Sequence, residues 1–203
     1  GDITCFSFDG IKNITSGEGG CIVSDNQELL KKVRDARLLG IENDSERRYI
    51  NKRSWDFEVT EQGWRYHMSN LMAAIGIEQL KRFTMFKNKR RALSLQYNRL
   101  LSDIDGITLM DHDYNNVVPH IFIVRFSSSL IRDYISDKLN ENGIQTGLHY
   151  KPNHLLSFFR NNSKISSAEK AYSQLLTLPL HPDLEDKDVN LICDLIRTNI
   201  NVI

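Results

Sequence analysis

Beyond residue 106 the apolar residues change their period, and that change limits the folds open to this chain. Ile107 to Met110 and His120-Ile121-Phe122-Ile123-Val124-Arg125-Phe126 are apolar runs of strand length. Ser127 to Ser129 then offers caps for a helix carrying Leu130, Ile131, Tyr134, Ile135 and Leu139, which stops at Gly143. Ile144 to Tyr150 reads as another strand, ended by Lys151-Pro152, and a helix is expected from about Ala168 to Thr177. Two prolines force Leu178-Pro179-Leu180-His181-Pro182 into an extended path. A last helix is expected from near Asp183, with acidic first-turn residues suited to its dipole and with Val189, Ile192 and Ile196 buried. Strands and helices alternating at this spacing predict a small α/β unit.

The first hundred residues are organised differently. Cys5-Phe6-Ser7-Phe8 reads as a short strand that breaks at Gly10, crosses a polar turn through Lys12 and enters a second strand, Cys21-Ile22-Val23. Lys12, flanked by Ile11 and Ile14, is placed where loss of hydration would favour the neutral, nucleophilic amine. A strand–turn–strand unit with an exposed lysine is the plainer reading of the same residues. Asp25 and Glu28 have the spacing of a capping box, and Leu29, Leu30, Val33, Ala36 and Leu39 recur at helical intervals up to Gly40, predicting a helix over 26–39. Residues 41–62 are polar, with an alternating patch from Trp55 to Val59. A structureless loop that long is uncommon, so either a short hairpin or a functional excursion is expected there. Met68, Met72, Ile75, Leu80 and Phe83 form a stripe whose period predicts a core face, and Leu93, Tyr97, Leu100 and Leu101 carry the next helix. Asp103-Ile104-Asp105-Gly106 is a turn.

Charge excludes some functions. Twenty-six basic and 26 acidic residues cancel, so bulk attraction to nucleic acid or to a membrane is not expected. The densest basic run, Lys87 to Arg91, reads as a solvated helix face. Cys5, Cys21 and Cys193 are odd in number and lack metal-ligand spacing. Two of them lie in strand patterns where a buried, reduced thiol is the default, which points to the cytoplasm. No apolar run approaches 18 residues, and the N-terminus has neither a signal pattern nor a methionine, as though cut from something longer.

The wording of the first turn adds to this. Ser7-Phe8, then Lys12-Asn13 and Gly17-Glu18-Gly19-Gly20, resembles the Schiff-base segment of the DegT/StrS-like nucleotide-sugar aminotransferases. These are fold-type-I, pyridoxal-phosphate-dependent enzymes of the aspartate aminotransferase superfamily. The resemblance continues in order: Gly63-Trp64-Arg65-Tyr66-His67-Met68-Ser69 with Ala73-Ala74-Ile75-Gly76 and Gln79-Leu80, then Val118-Pro119-His120, then Gly143-Ile144 with Thr146-Gly147, His149-Tyr150 and Pro152, then Leu178 to Pro182. It implies an α/β chain made of the end of the cofactor-binding large domain, residues 1–85, and a small C-terminal domain, residues 86–203. It also implies transamination of a nucleoside-diphosphate-linked keto sugar, with glutamate as donor, by a homodimer with shared active sites working in polysaccharide biosynthesis of the O-antigen or lipopolysaccharide kind.

By the same resemblance Lys12 anchors pyridoxal phosphate and moves the proton, and Ser7 bonds the cofactor phosphate. His120, His149 and Tyr150 face the substrate by the same resemblance, and Glu18, from its place in the turn, is a candidate to orient the lysine or the substrate. The family's asparagine that reaches the neighbouring subunit's phosphate is Arg65 here, and arginine makes such contacts well. His67 replaces a usual arginine. The plainer readings are a solvent-facing strand serine for Ser7, a turn residue for Glu18, and core-closing rings for His120, His149 and Tyr150. Sugar dehydratases on the same cofactor carry histidine in place of the lysine, so Lys12 argues for transamination. The half of the family's sequence that precedes the lysine supplies the acid and the aromatic ring around the cofactor. Because that half is not among these 203 residues, a non-catalytic fragment or regulatory module is the remaining alternative.

Overall fold

The computed structural model describes residues 1–43, 50, 52, 56–160 and 164–202. The chain separates into two units, Gly1–Phe83 and Thr84–Ile203. In the first, β1 (Thr4–Ser7) and β2 (Gly20–Val23) pair antiparallel from Thr4↔Val23 to Ser7↔Gly20. Gly20 is needed at that register, because a Cβ there would lie 2.5 Å from the Phe6 carbonyl oxygen. Helix α1 (Gln27–Ala36) is capped by Asn26, whose side chain accepts the Leu29 N–H at 3.0 Å, and not by the predicted Asp25–Glu28 box.

α1 ends three residues earlier than the periodicity predicts. Its exit is taken over by the segment around Trp64: the Trp64 N–H donates to the Ala36 carbonyl (2.7 Å), the Leu39 N–H to that of Trp64 (2.9 Å) and the Tyr66 N–H to that of Arg37 (2.9 Å). These pairings satisfy groups that a helix end leaves open. Leu39 and Gly40 turn out of the helix at φ 63° and 74°. Gly63 packs on the Gly40 backbone so closely that any side chain would collide. Within the 41–62 stretch Ile41 bridges Val59, Phe57 and Val59 are exposed, and Trp55 lies outside the described residues.

Helix α2 (Asn70–Lys81) is capped by Ser69, which accepts the Met72 N–H at 3.3 Å. Its apolar stripe is not core. No residue of α2 is buried, Leu71 is 81% exposed, and Ile75 and Leu80 stand in solvent. Periodicity identifies the apolar face correctly, but none of the described elements covers it. The same reason overturns the expected burial of Cys5 and Cys21. All eight residues of the β1–β2 ribbon are exposed, and the buried thiol is Cys193, on a helix.

The second unit builds the main core. Strands β3 (Ile107–Leu109), β4 (Phe122–Phe126) and β5 (Leu175–Leu178) form an antiparallel sheet in the order β3-β4-β5. The inward residues of β4, Phe122, Val124 and Phe126, alternate with half-buried ones as a sheet covered on one face requires. They meet Leu93, Tyr97 and Leu101 of α3 (Phe83–Leu101), Ile135 and Leu139 of α4 (Ser129–Glu141), and Val189, Ile192, Cys193 and Ile196 of α6 (Asp186–Asn199). Each fully buried side chain of this size contributes roughly 1.5–3 kcal/mol. Tyr97 stacks on Phe122 at 4.7 Å and donates its hydroxyl to the Pro179 carbonyl at 3.0 Å. Burial, helped by Cys193 and Asp188, pushes the Tyr97 phenol well above its usual range. Burial likewise pushes the Cys193 thiol up to about 12.

Three predicted elements of this unit shift. Ile144 to Tyr150 is not a strand; of it only Gly147 pairs, with Thr177. The helix expected over 168–177 is α5 (Ser166–Gln174), and the chain then switches directly into β5 because Leu176 and Leu178 fill the sheet's buried face. α6 begins at Asp186, where Glu185 and Asp188 make a reciprocal capping box. The basic run is not one solvated face either. Arg90 is 4% exposed and donates to the carbonyls of His120 (3.0 Å) and Leu180 (2.9 Å), and Arg91 donates to those of Val117 and Asn115.

Three carboxyls of this unit are held below the usual carboxylate range. Asp103 is held by its paired hydrogen bonds from Arg197, Asp113 by the Asn115 N–H and the Asn116 amide, and Glu169 by His154 at 3.0 Å. A carboxyl whose folded value is depressed stabilises the fold above its unfolded value, and that contribution is lost as pH falls through the folded value. Thermal melts are therefore expected to be nearly flat from neutral pH to about 5 and to drop below about pH 4. Asp103→Asn should flatten that drop; an unchanged acid profile would count against this origin.

Candidate active site

Ser7 ends β1, and the excursion that runs from it to β2 carries Lys12 and Glu18. It is tied at its base by the Phe8 N–H donating to the Gly19 carbonyl (2.9 Å) and by the Ser16 N–H donating to that of Phe8 (2.9 Å). Inside it the Asp9 carboxylate accepts the Ile11 N–H (3.2 Å), the Asp9 carbonyl accepts the Lys12 N–H (3.1 Å), and Thr15 Oγ1 donates to the Phe8 carbonyl (3.1 Å). Gly17 (φ 84°) and Gly19 (φ 139°) supply the backbone reversal, and a Cβ on Gly19 would strike Met68 at 2.7 Å. Lys12 is half-buried, and its amine has no hydrogen-bond or ion-pair partner among the described residues. Ser7 Oγ accepts the Asp9 N–H at 3.3 Å, which leaves its own O–H to donate.

Arg65 and His67 are exposed on the segment that pairs with the α1 exit. Trp64 and Tyr66, on either side of Arg65, stack at 6.1 Å and, with Phe6, Ile22, Leu30, Val33 and other residues, line an apolar groove of about 760 Å³. Lys12 does not line it. In the second unit His120 is half-buried, with its carbonyl held by Arg90. His149 Nδ1 bonds Thr177 Oγ1 at 2.9 Å, its ring meets Tyr150 edge-on at 4.6 Å, and Tyr150 is 66% exposed. The residues missed by motif reading are Asp9, Thr15 and Ser16, which shape the lysine loop. Asp, Ser and Thr beside glycines are the usual signal of such turns.

Residues 1–197 match the sequence profile of the DegT/DnrJ/EryC1/StrS aminotransferase family. The chain belongs to that family. It is 35% identical over 200 residues to the dTDP-4-dehydro-2,3,6-trideoxy-D-glucose 4-aminotransferase of Saccharopolyspora spinosa, covering 96% of this chain and 51% of that one. The crystal structure of the aminotransferase TlmJ from Streptoalloteichus hindustanus superposes with a TM-score of 0.84 at 30% identity, covering 100% of this chain and 53% of that one. PseC of Helicobacter pylori, an aminotransferase involved in pseudoaminic acid biosynthesis, superposes with a TM-score of 0.85 at 26% identity, covering 100% and 54%. The chain thus spans about half the length of the relatives it matches.

The family uses pyridoxal phosphate. The residues of the lysine loop fit that group: a partner-free amine stands on a loop braced by other residues, five positions from a hydroxyl whose proton is unused. An amine already tied in an ion pair would not fit. Among the described residues no helix is long and apolar enough to cross a membrane, and no three His, Cys, Asp or Glu side chains are grouped to hold a metal.

Proposed function

We propose that this chain is the lysine-bearing half of a pyridoxal-phosphate-dependent aminotransferase that converts a nucleoside-diphosphate-linked keto sugar into an amino sugar, with glutamate as amino donor. The observation that carries the reading is the half-buried amine of Lys12, without a partner among the described residues, on a loop closed by other residues. When bound, the cofactor supplies the electron sink for amino transfer. Lys12 Nζ holds it covalently and, once released, takes up and returns the migrating proton. The Ser7 hydroxyl donates to its phosphate. Arg65, exposed and bidentate, suits a phosphate in the neighbouring subunit of a homodimer. Glu18, His120, His149 and Tyr150 contact the substrates, with His149 fixed for that purpose by Thr177.

Incubation of the enzyme that carries this chain with pyridoxal phosphate should turn it yellow, and borohydride should then fix the label on the peptide containing Lys12. Label spread evenly over the lysines, or none, would overturn the reading.

A further inference from the structure

Among the described residues of the unit that carries the lysine loop, the most enclosed side chain is not apolar. Ser16 is 1% exposed, whereas of the described large apolar residues there only Leu38 is buried. Three contacts converge on it. Its N–H closes the loop by donating to the Phe8 carbonyl at 2.9 Å, and its Oγ donates to the Glu18 carbonyl at 2.7 Å, spanning Gly17. Its Cβ faces Gly76 of α2, near enough that a methyl added at Gly76 would meet it in ordinary van der Waals contact at 3.5 Å. The same stretch of chain touches the loop once more, because Met68 Cε occupies the space beside Gly19. Lys12 sits on the ring of backbone between Phe8 and Ser16, so whatever fixes Ser16 fixes the base from which the lysine projects.

We infer that Ser16 is a positioning residue for Lys12, locking the lysine loop against α2 at Gly76, so that the amine is presented by a contact four residues away. The inference rests on the role proposed for Lys12 but adds a residue whose hydroxyl is engaged within the loop itself. The Oγ bond is the part that can be removed alone, since Ala at 16 keeps the Cβ contact and the backbone bond. One hydrogen bond of this kind is worth about 1 kcal/mol, and 1.4 kcal/mol is tenfold.

In the enzyme that carries this chain, Ser16→Ala is therefore expected to slow fixation of pyridoxal phosphate on Lys12 by roughly five- to tenfold. The pH at which the absorption band of the lysine-bound cofactor changes should move, while the thermal melt stays close to that of the parent. Gly76→Ala, whose added methyl makes only an ordinary contact, should leave both readouts unchanged, and Gly76→Val should reproduce the Ser16→Ala spectrum. Without cofactor, the amides of Lys12, Ser16 and Gly17 should exchange hydrogen faster in Ser16→Ala, and amides of the second unit should not. Parental labelling, spectrum and exchange in Ser16→Ala would overturn the inference. Faster exchange with no labelling of Lys12 even in the parent would leave the locking by Ser16 standing and sink the proposed function instead.

Discussion

Lys12→Ala should abolish amino transfer, by at least about a thousandfold in kcat, in the enzyme that carries this chain. Two losses combine: the covalent hold on the cofactor and the only base proposed to move the proton. Stability should hardly change. The Lys12 side chain is half-buried with no partner among the described residues, and the loop is closed by bonds among Phe8, Asp9, Thr15, Ser16 and Gly19. A surface substitution of this kind stays within about 0.5 kcal/mol. Single-turnover conversion of a keto sugar by the aminated cofactor form, run beside a thermal melt, checks both halves. Turnover within tenfold of the parent would sink the assignment, and a large melting shift would show that the lysine is structural.

Arg90→Met carries the largest stability effect expected, about 2–4 kcal/mol. Methionine preserves most of the aliphatic volume, so a cavity is not the cause. What is lost is the guanidinium that satisfies the carbonyls of His120 and Leu180 inside the second unit. Burial lowers the pKa of Arg90 from its ordinary value, yet arginine remains charged at any pH where the fold exists. Arg91→Met is the internal control, because its two carbonyl bonds are made at the surface and should be worth well under half as much. Urea unfolding followed by far-UV circular dichroism measures the difference. Equal midpoints for the two variants would show that the buried bonds contribute nothing net.

Those two residues also mark where sequence reading works. The strand–turn–strand setting of Lys12 was legible because the glycines and the strand break beside it are local in the chain. Helices α3, α4 and α6 and strand β4 were legible because each buries one face, and burial imprints a period on the sequence. Arg90 was not legible. Its partners lie 30 and 90 residues away, and a basic run looks the same whether its middle residue points into water or into a core. Strand β5 was misread for a related reason. Leu175–Leu178 continues a helical pattern, and only pairing with β4 from Phe122↔Leu178 to Arg125↔Leu175 makes it extended. The burial of Ser16 gave no signal, since a serine before a glycine reads as a turn residue whether it is exposed or enclosed.

By itself the sequence determined the family, through landmarks kept in order along the chain, and most of the helices, whose period is written in residues close together. The tertiary structure alone decided which apolar faces are covered. The stripe on α2 and the two strands around Lys12 look like core by period, yet they stand exposed in this chain, while a serine beside them is enclosed. Burial depends on which distant element packs against a face, and local periodicity records only that a face is apolar, not what meets it.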